Sequence, residues 1–192
     1  MPQTERMFWR RIDRPGHEVV ELRQQPDGWR LHGIAVFADG TQYSALEYDI
    51  ICDARWRTTS TTVISLLGVD SRIVELVRLP TGEWLVDGTP RADLRGCYDV
   101  DLGFSPSTNL LPIRRLSLNV GDEATVRAAW IRFPELTIEV LEQAYRRTAD
   151  STYHYESAGG TFFRDLVVNG VGFVLEYPGI WTAEMTPDEA AD

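Results

Sequence analysis

Gly28-Trp29-Arg30-Leu31-His32-Gly33-Ile34-Ala35-Val36-Phe37-Ala38-Asp39-Gly40-Thr41-Gln42-Tyr43 is the stretch whose pattern sets the fold class. Trp29, Leu31, Ala35 and Phe37 occupy alternate positions, the period of an extended chain with one buried face. Asp39-Gly40 is a hairpin signal, because aspartate and glycine accept the positive φ that tight turns need. Tyr43 to Cys52 then reads as the returning antiparallel strand. Upstream, Glu18 to Arg23 alternates in the same way. Downstream, Arg55 to Leu67 carries the run Thr58-Thr59-Ser60-Thr61-Thr62-Val63-Ile64, whose branched side chains suit a strand. Gly68-Val69-Asp70-Ser71 turns the chain into Arg72 to Leu79. Pro80-Thr81-Gly82-Glu83 leads to Trp84-Leu85-Val86, which ends at Asp87-Gly88-Thr89-Pro90.

The second half reads alike. Asn119-Val120-Gly121-Asp122 precedes a strand from Ala124 to Phe133, and Pro134-Glu135 separates it from Leu136 to Arg147. That last stretch is the one helix candidate, through Leu136, Val140, Leu141, Ala144 and Tyr145. Alternation of Leu136, Ile138 and Val140 with Thr137 and Glu139 favours a strand. Tyr153 to Ser157, Thr161 to Val168 and Gly172 to Tyr177 follow, with Asn169-Gly170 as a hairpin turn. This many strands cannot remain one flat sheet. The expected architecture is all-β and antiparallel: a barrel, a roll or a pair of packed sheets. It forms a single domain over residues 1–192, with residues 183–192 a frayed tail.

Composition sets outer limits on function. The chain has 192 residues, 43% hydrophobic and 25% charged, an ordinary globular balance. Its net charge of −10 repels phosphate backbones and anionic surfaces, so nucleic acid is not an expected partner. All 19 cationic side chains are arginines, suited to bidentate recognition of oxyanions. Cys52 and Cys97 lie far apart in no metal-ligand or redox spacing and are expected to be buried thiols. His17, His32 and His154 are scattered, so neither a metal nor another cofactor is expected. The start, Met1 to Arg11, lacks the apolar run of a signal peptide and no stretch reaches membrane-spanning length, which predicts a cytoplasmic protein.

The densest polar cluster is Gly96-Cys97-Tyr98-Asp99-Val100-Asp101-Leu102, running through Ser105-Pro106-Ser107-Thr108-Asn109 into Leu110-Leu111-Pro112-Ile113-Arg114-Arg115-Leu116. On a strand, Asp99 and Asp101 project from one face with Cα atoms about 6.5 to 7 Å apart. Three chemistries compete for them. They are the carboxyl pair of a retaining glycosidase, the metal-binding DxD of nucleotide-sugar transferases, or partners of Arg114 and Arg115. In the last, the ion pairs are structural or one arginine is free to meet a ligand. Ser105 to Pro112 reads as a rigid irregular connection.

The same segment closely resembles the signature of a bacterial family described as putative glycolipid-binding proteins, long catalogued as a domain of unknown function. Trp56-Arg57-Thr58, Ala129-Trp130-Ile131 with Pro134, and Tyr177-Pro178 with Trp181 resemble its shorter elements. The resemblance implies a spiral antiparallel β-roll, similar to the half-open barrels of bacterial lipoprotein carriers, with a glycolipid as ligand.

Together these readings predict a non-catalytic protein that binds an amphiphile such as a glycolipid. Acyl chains would occupy an apolar interior, with the polar head near Asp99, Asp101, Arg114, Arg115 and Asn109. Of the aromatics suited to stacking on sugars (Trp29, Trp56, Trp84, Trp130, Trp181, Tyr153 and Tyr155), Trp56 is favoured, because Arg55 and Arg57 flank it and a threonine-rich run follows. The alternatives are a glycoside or ester hydrolase using Asp99 or Asp101, and a protein-interaction module. Pattern alone assigns no oligomeric state.

Overall fold

The computed structural model describes residues 3–67 and 72–185. The Gly68-Val69-Asp70-Ser71 turn and all of the expected tail beyond residue 185 lie outside the described residues. The opening hairpin forms as read: β3 (Gly28–Asp39) and β4 (Gln42–Asp53) pair antiparallel along their full length, from Gly28 opposite Asp53 to Asp39 opposite Gln42. Leu31, Ala35 and Phe37 of β3 and Leu46, Tyr48, Ile50 and Cys52 of β4 are buried on the inner face.

On one side of this hairpin come β2 (Gly16–Gln25) and β1 (Thr4–Arg11). On the other come β5 (Thr58–Leu67), β6 (Ile73–Arg78), β7 (Trp84–Val86) and β8 (Thr89–Pro90). The C-terminal half makes a second meander: β15 (Trp181–Met185), β14 (Val174–Tyr177), β13 (Phe162–Val168), β12 (Thr152–Ser157), β11 (Thr137–Ala149), β10 (Glu123–Arg132) and β9 (Asp99–Leu102). β1 pairs with β15, so the two meanders fuse into one 15-stranded sheet among the described residues. Every ladder is antiparallel except that of β9 with β10. The candidate helix at Leu136 to Arg147 is therefore strand β11. β1 and β15, which sequence pattern did not mark as strands, form the joint at the middle of the sheet.

Both edges of the sheet come from the middle of the chain, and both are short, which limits the unpaired backbone they expose. The sheet curls until its edge meets its own body: Thr58 N–H donates to the Tyr98 carbonyl (2.9 Å), and Val100 N–H donates to Thr58 Oγ1 (3.3 Å). This contact is a seam and not a ladder, so the protein is a half-open roll and not a closed barrel.

The Ser105 to Pro112 connection differs from expectation. It is a 3₁₀ turn (Ser107–Asn109) leading into helix α1 (Leu110–Leu116). Pro112 sits in the first helical turn, where a backbone N–H has no intrahelical partner to lose. Every residue from Phe104 to Ile113 is buried, so this segment fills the roll from within. Leu110, Leu111 and Phe104 pack with Trp9, Tyr48 and Trp84 in the main core. Ile113 joins a smaller cluster with Tyr145, Tyr153, Tyr155 and Leu166 beneath the second meander. The interior that sequence reasoning assigned to acyl chains is thus occupied by the chain itself.

Candidate functional site

β9 carries the site. Val100 and Leu102 enter the main core, and Asp99 and Asp101 share the other face, as strand periodicity requires. Their surroundings differ. Asp99 is 1% exposed and receives a two-pronged bond from Arg115 at the end of α1: Nε to Oδ1 at 2.9 Å and Nη2 to Oδ2 at 2.5 Å. Burial pushes its carboxyl above the ordinary aspartate range, and the guanidinium opposes that push. The fork engages both oxygens, and burial closes the carboxylate to anything else.

Asp101 faces an open cleft of about 380 Å³. Burial lifts its carboxyl to about 6, opposed by the hydrogen bond from Gln143 Nε2 (2.7 Å) and reinforced by the charge of Asp99. The same Gln143 nitrogen lies 3.0 Å from the Tyr155 hydroxyl. Around Asp101 the cleft is walled by Trp130 of β10, Tyr155 of β12, Phe162 of β13, Tyr177 of β14 and Trp181 of β15. Tyr155, Phe162 and Tyr177 hold one another edge-on or tilted, with ring centroids 6.1 to 6.4 Å apart. Gly103 makes room for Trp130, since a Cβ there would come within 2.8 Å of the indole nitrogen. Arg11 closes one side, its guanidinium 5.1 Å from the Trp181 ring centroid and bonded to Asp13.

The remaining expected site residues separate. Asn109 borders the cleft but donates to the Tyr145 hydroxyl at 2.9 Å. Arg114 points elsewhere: its guanidinium lies 5.0 Å from the ring of Trp56, which is itself stacked on Trp29 at 4.5 Å. Neither Trp56 nor Arg114 reaches the Asp101 cleft. Asp99, sealed by Arg115, is not available as the second carboxyl of a hydrolytic pair. Cys52 and Cys97 are buried free thiols, raised by that burial to about 12 and about 11. Trp130, Tyr155 and Trp181, which the sequence offered among the aromatics suited to stacking without favouring them, are among those the fold gathers beside Asp101.

Behind the cleft is a polar network that sequence reasoning missed. Glu18 of β2 is 1% exposed, and burial lifts its carboxyl to about 8. Its Oε1 accepts from the Tyr48 and Ser105 hydroxyls, both at 2.5 Å, while Oε2 has no partner among the described residues. Ser107 Oγ lies 2.8 Å from Tyr48 and 2.7 Å from Ser105. Gly33 is what lets Tyr48 cross β3 to reach β2, because a Cβ there would meet its hydroxyl at 2.3 Å. Ser105 also borders the cleft, so the network touches the cleft wall through that one residue. The signal was present in the spacing of Glu18, Val20 and Leu22, which places Glu18 on the inward face of β2.

Fold and site together define a half-open all-β roll with an internal plug and an aromatic, acid-bearing cleft on its second meander. The family model described as "Putative glycolipid-binding" matches residues 6–183, and the chain belongs to that family. Among solved structures it is similar to a DUF1089 family protein (PA1994) from Pseudomonas aeruginosa. The two are 33% identical with a TM-score of 0.74, over 86% of this chain and 91% of that one. No curated protein matches. No helix among the described residues is long and apolar enough to cross a membrane.

Proposed function

We propose that the protein binds the sugar head of an amphiphile in the Asp101 cleft, without catalysis. The observation that carries this reading is the convergence of Trp130, Tyr155, Phe162, Tyr177 and Trp181 on one carboxyl group in a cleft of about 380 Å³. That volume falls within the range of small-molecule sites, which are mostly apolar with a few placed polar groups. Aromatic faces pack against the C–H faces of a pyranose while Asp101 accepts from its hydroxyls. The family description supports the ligand class. Because residues 104–113 fill the roll, the alkyl part of the ligand leaves through the cleft mouth and does not enter the interior.

The test is a fluorescence or calorimetric titration with octyl glucoside, an uncharged single-chain probe, below its micelle concentration. Trp130→Ala is expected to weaken binding at least tenfold, and Trp56→Phe, at the Arg114 stack, to leave it unchanged. Equal affinity in wild type and Trp130→Ala would overturn the reading.

A further inference from the structure

A second polar site lies across the seam from the cleft. Three guanidiniums surround the ring of Tyr98: Arg78 at 5.0 Å, Arg57 at 5.1 Å and Arg115 at 5.5 Å from its centroid. They come from three separate places, the residue before β5, the end of β6 and the end of α1, brought together only where the sheet curls onto itself. Arg115 is spent on Asp99. Arg57 and Arg78 form no ion pair among the described residues, and the one carboxylate whose charge acts on Arg78 is Asp99, already forked by Arg115. The Arg78 Nε is moreover buried with no acceptor. In a chain of net charge −10 this is a local reversal of sign, with the half-exposed Tyr98 at its centre.

Like charges held together and a buried donor left unmet are both unfavourable unless an acceptor completes them. We propose that Arg57, Arg78 and the Tyr98 hydroxyl form a binding site for a phosphoryl group, with Arg115 held in place beside them by Asp99. A carboxylate is the poorer fit, because it brings only two oxygens and one negative charge to two guanidiniums and a hydroxyl. A phosphoryl group presents three acceptor oxygens with more than one negative charge, enough for two forks and a hydroxyl. Tyr98 and Arg115 also line a groove of about 610 Å³, so the remainder of a phosphorylated ligand has room beside the site. Gln143 and Ser157 separate that groove from the cleft, Ser157 bordering both. Phosphoryl binding here does not depend on sugar binding in the cleft.

Inorganic phosphate titrated calorimetrically into the full chain, at fixed ionic strength in chloride buffer, tests it. Saturable binding is expected, weakened at least tenfold in Arg57→Gln/Arg78→Gln. It should be retained in Arg6→Gln/Arg23→Gln, which removes the same charge from the exposed Glu21 ion pairs. Trp130→Ala should bind phosphate as wild type does, which separates this outcome from that of the cleft. Neither Arg57 nor Arg78 is part of a buried ion pair, and circular dichroism checks that the variant folds. An absence of saturable binding in the wild type overturns the proposal whatever the variants do, as does equal binding by the two double variants. Co-sedimentation with phosphatidylcholine vesicles, with and without phosphatidic acid, whose phosphomonoester head carries the three free oxygens, then identifies the source. Pelleting that needs phosphatidic acid and is lost in Arg57→Gln/Arg78→Gln indicates a lipid headgroup. Phosphate binding without pelleting indicates a free phosphorylated molecule.

Discussion

Asp99 and Asp101 stand two residues apart on one face of one strand, yet one is sealed into the seam and the other opens onto the cleft. Strand periodicity dictates the shared face, but what each carboxyl meets is decided by elements distant in sequence. α1 brings Arg115 to Asp99, and β11 brings only the amide of Gln143 to Asp101. A guanidinium fork satisfies both oxygens of a carboxylate and leaves it inert, whereas a single amide leaves capacity for a ligand. The seam is therefore structural at Asp99, and the cleft is where the aspartate pair retains chemistry.

This contrast predicts its own largest effect. Arg115→Met leaves the Asp99 charge buried without its partner and should cost about 3–5 kcal/mol in urea denaturation. Asp101→Asn keeps an acceptor for Gln143 in a partly open site and should cost under about 1 kcal/mol. Comparable losses in the two variants would break the distinction between seam and cleft.

The next effect concerns the polar network behind the cleft. In the unfolded chain Glu18 loses its proton near the ordinary value of 4.5, whereas in the folded protein it keeps it to about 8. Below 4.5 both states are protonated and the stabilising contribution is complete. As pH rises from there to about 8 only the folded state holds the extra proton, and stability falls. A difference of one pH unit between the folded and unfolded values is worth about 1.4 kcal/mol, so the loss across this window is on the order of several kcal/mol. Glu18→Gln removes the titration, and the stability difference between wild type and variant should change steadily in the variant's favour from about pH 5 to about pH 8. A constant difference, measured by denaturation at each pH, would show that Glu18 is ionised in the fold.

How much of this was legible follows the same division between face and partner. The alternation of Leu31, Ala35 and Phe37 marks β3 because burial on one side is all a strand pattern records. The same rule places Glu18 inward once Val20 and Leu22 are read together with it. β1 escaped notice because Phe8 stands between the buried Met7 and Trp9 and blurs the alternation. α1 escaped because seven residues are too few to show a helical period and Pro112 reads as a breaker, although in a first turn it breaks nothing. The aromatics beside Asp101 were individually visible, but Trp130, Tyr155 and Trp181 lie on three strands of the second meander that do not pair with one another, and only the curl of that meander brings them to one cleft. Trp56, favoured from its local context, is instead paired with Trp29 and Arg114. Local sequence identified chemistry-bearing residue types; only the curl of the sheet decided which of them meet.

The smallest effect tests the cleft side of the comparison. Asp101 titrates at about 6, inside the range where the fold is easily studied. Its neutral form accepts weakly from sugar hydroxyls, while its ionised form accepts charge-assisted bonds roughly twice as strong. Octyl glucoside should accordingly bind tighter as pH rises from about 5 to about 7, by about fivefold if one such bond strengthens by about 1 kcal/mol. Linkage requires the bound sugar in turn to lower the carboxyl below 6, which carbon-detected NMR of the Asp101 side chain reads directly. Asp101→Asn should flatten the profile, and Asp99→Asn should not, because the carboxyl of Asp99 is buried under Arg115 and does not line the cleft. A pH profile that survives Asp101→Asn would assign the titration to another group and detach the sugar site from this carboxyl.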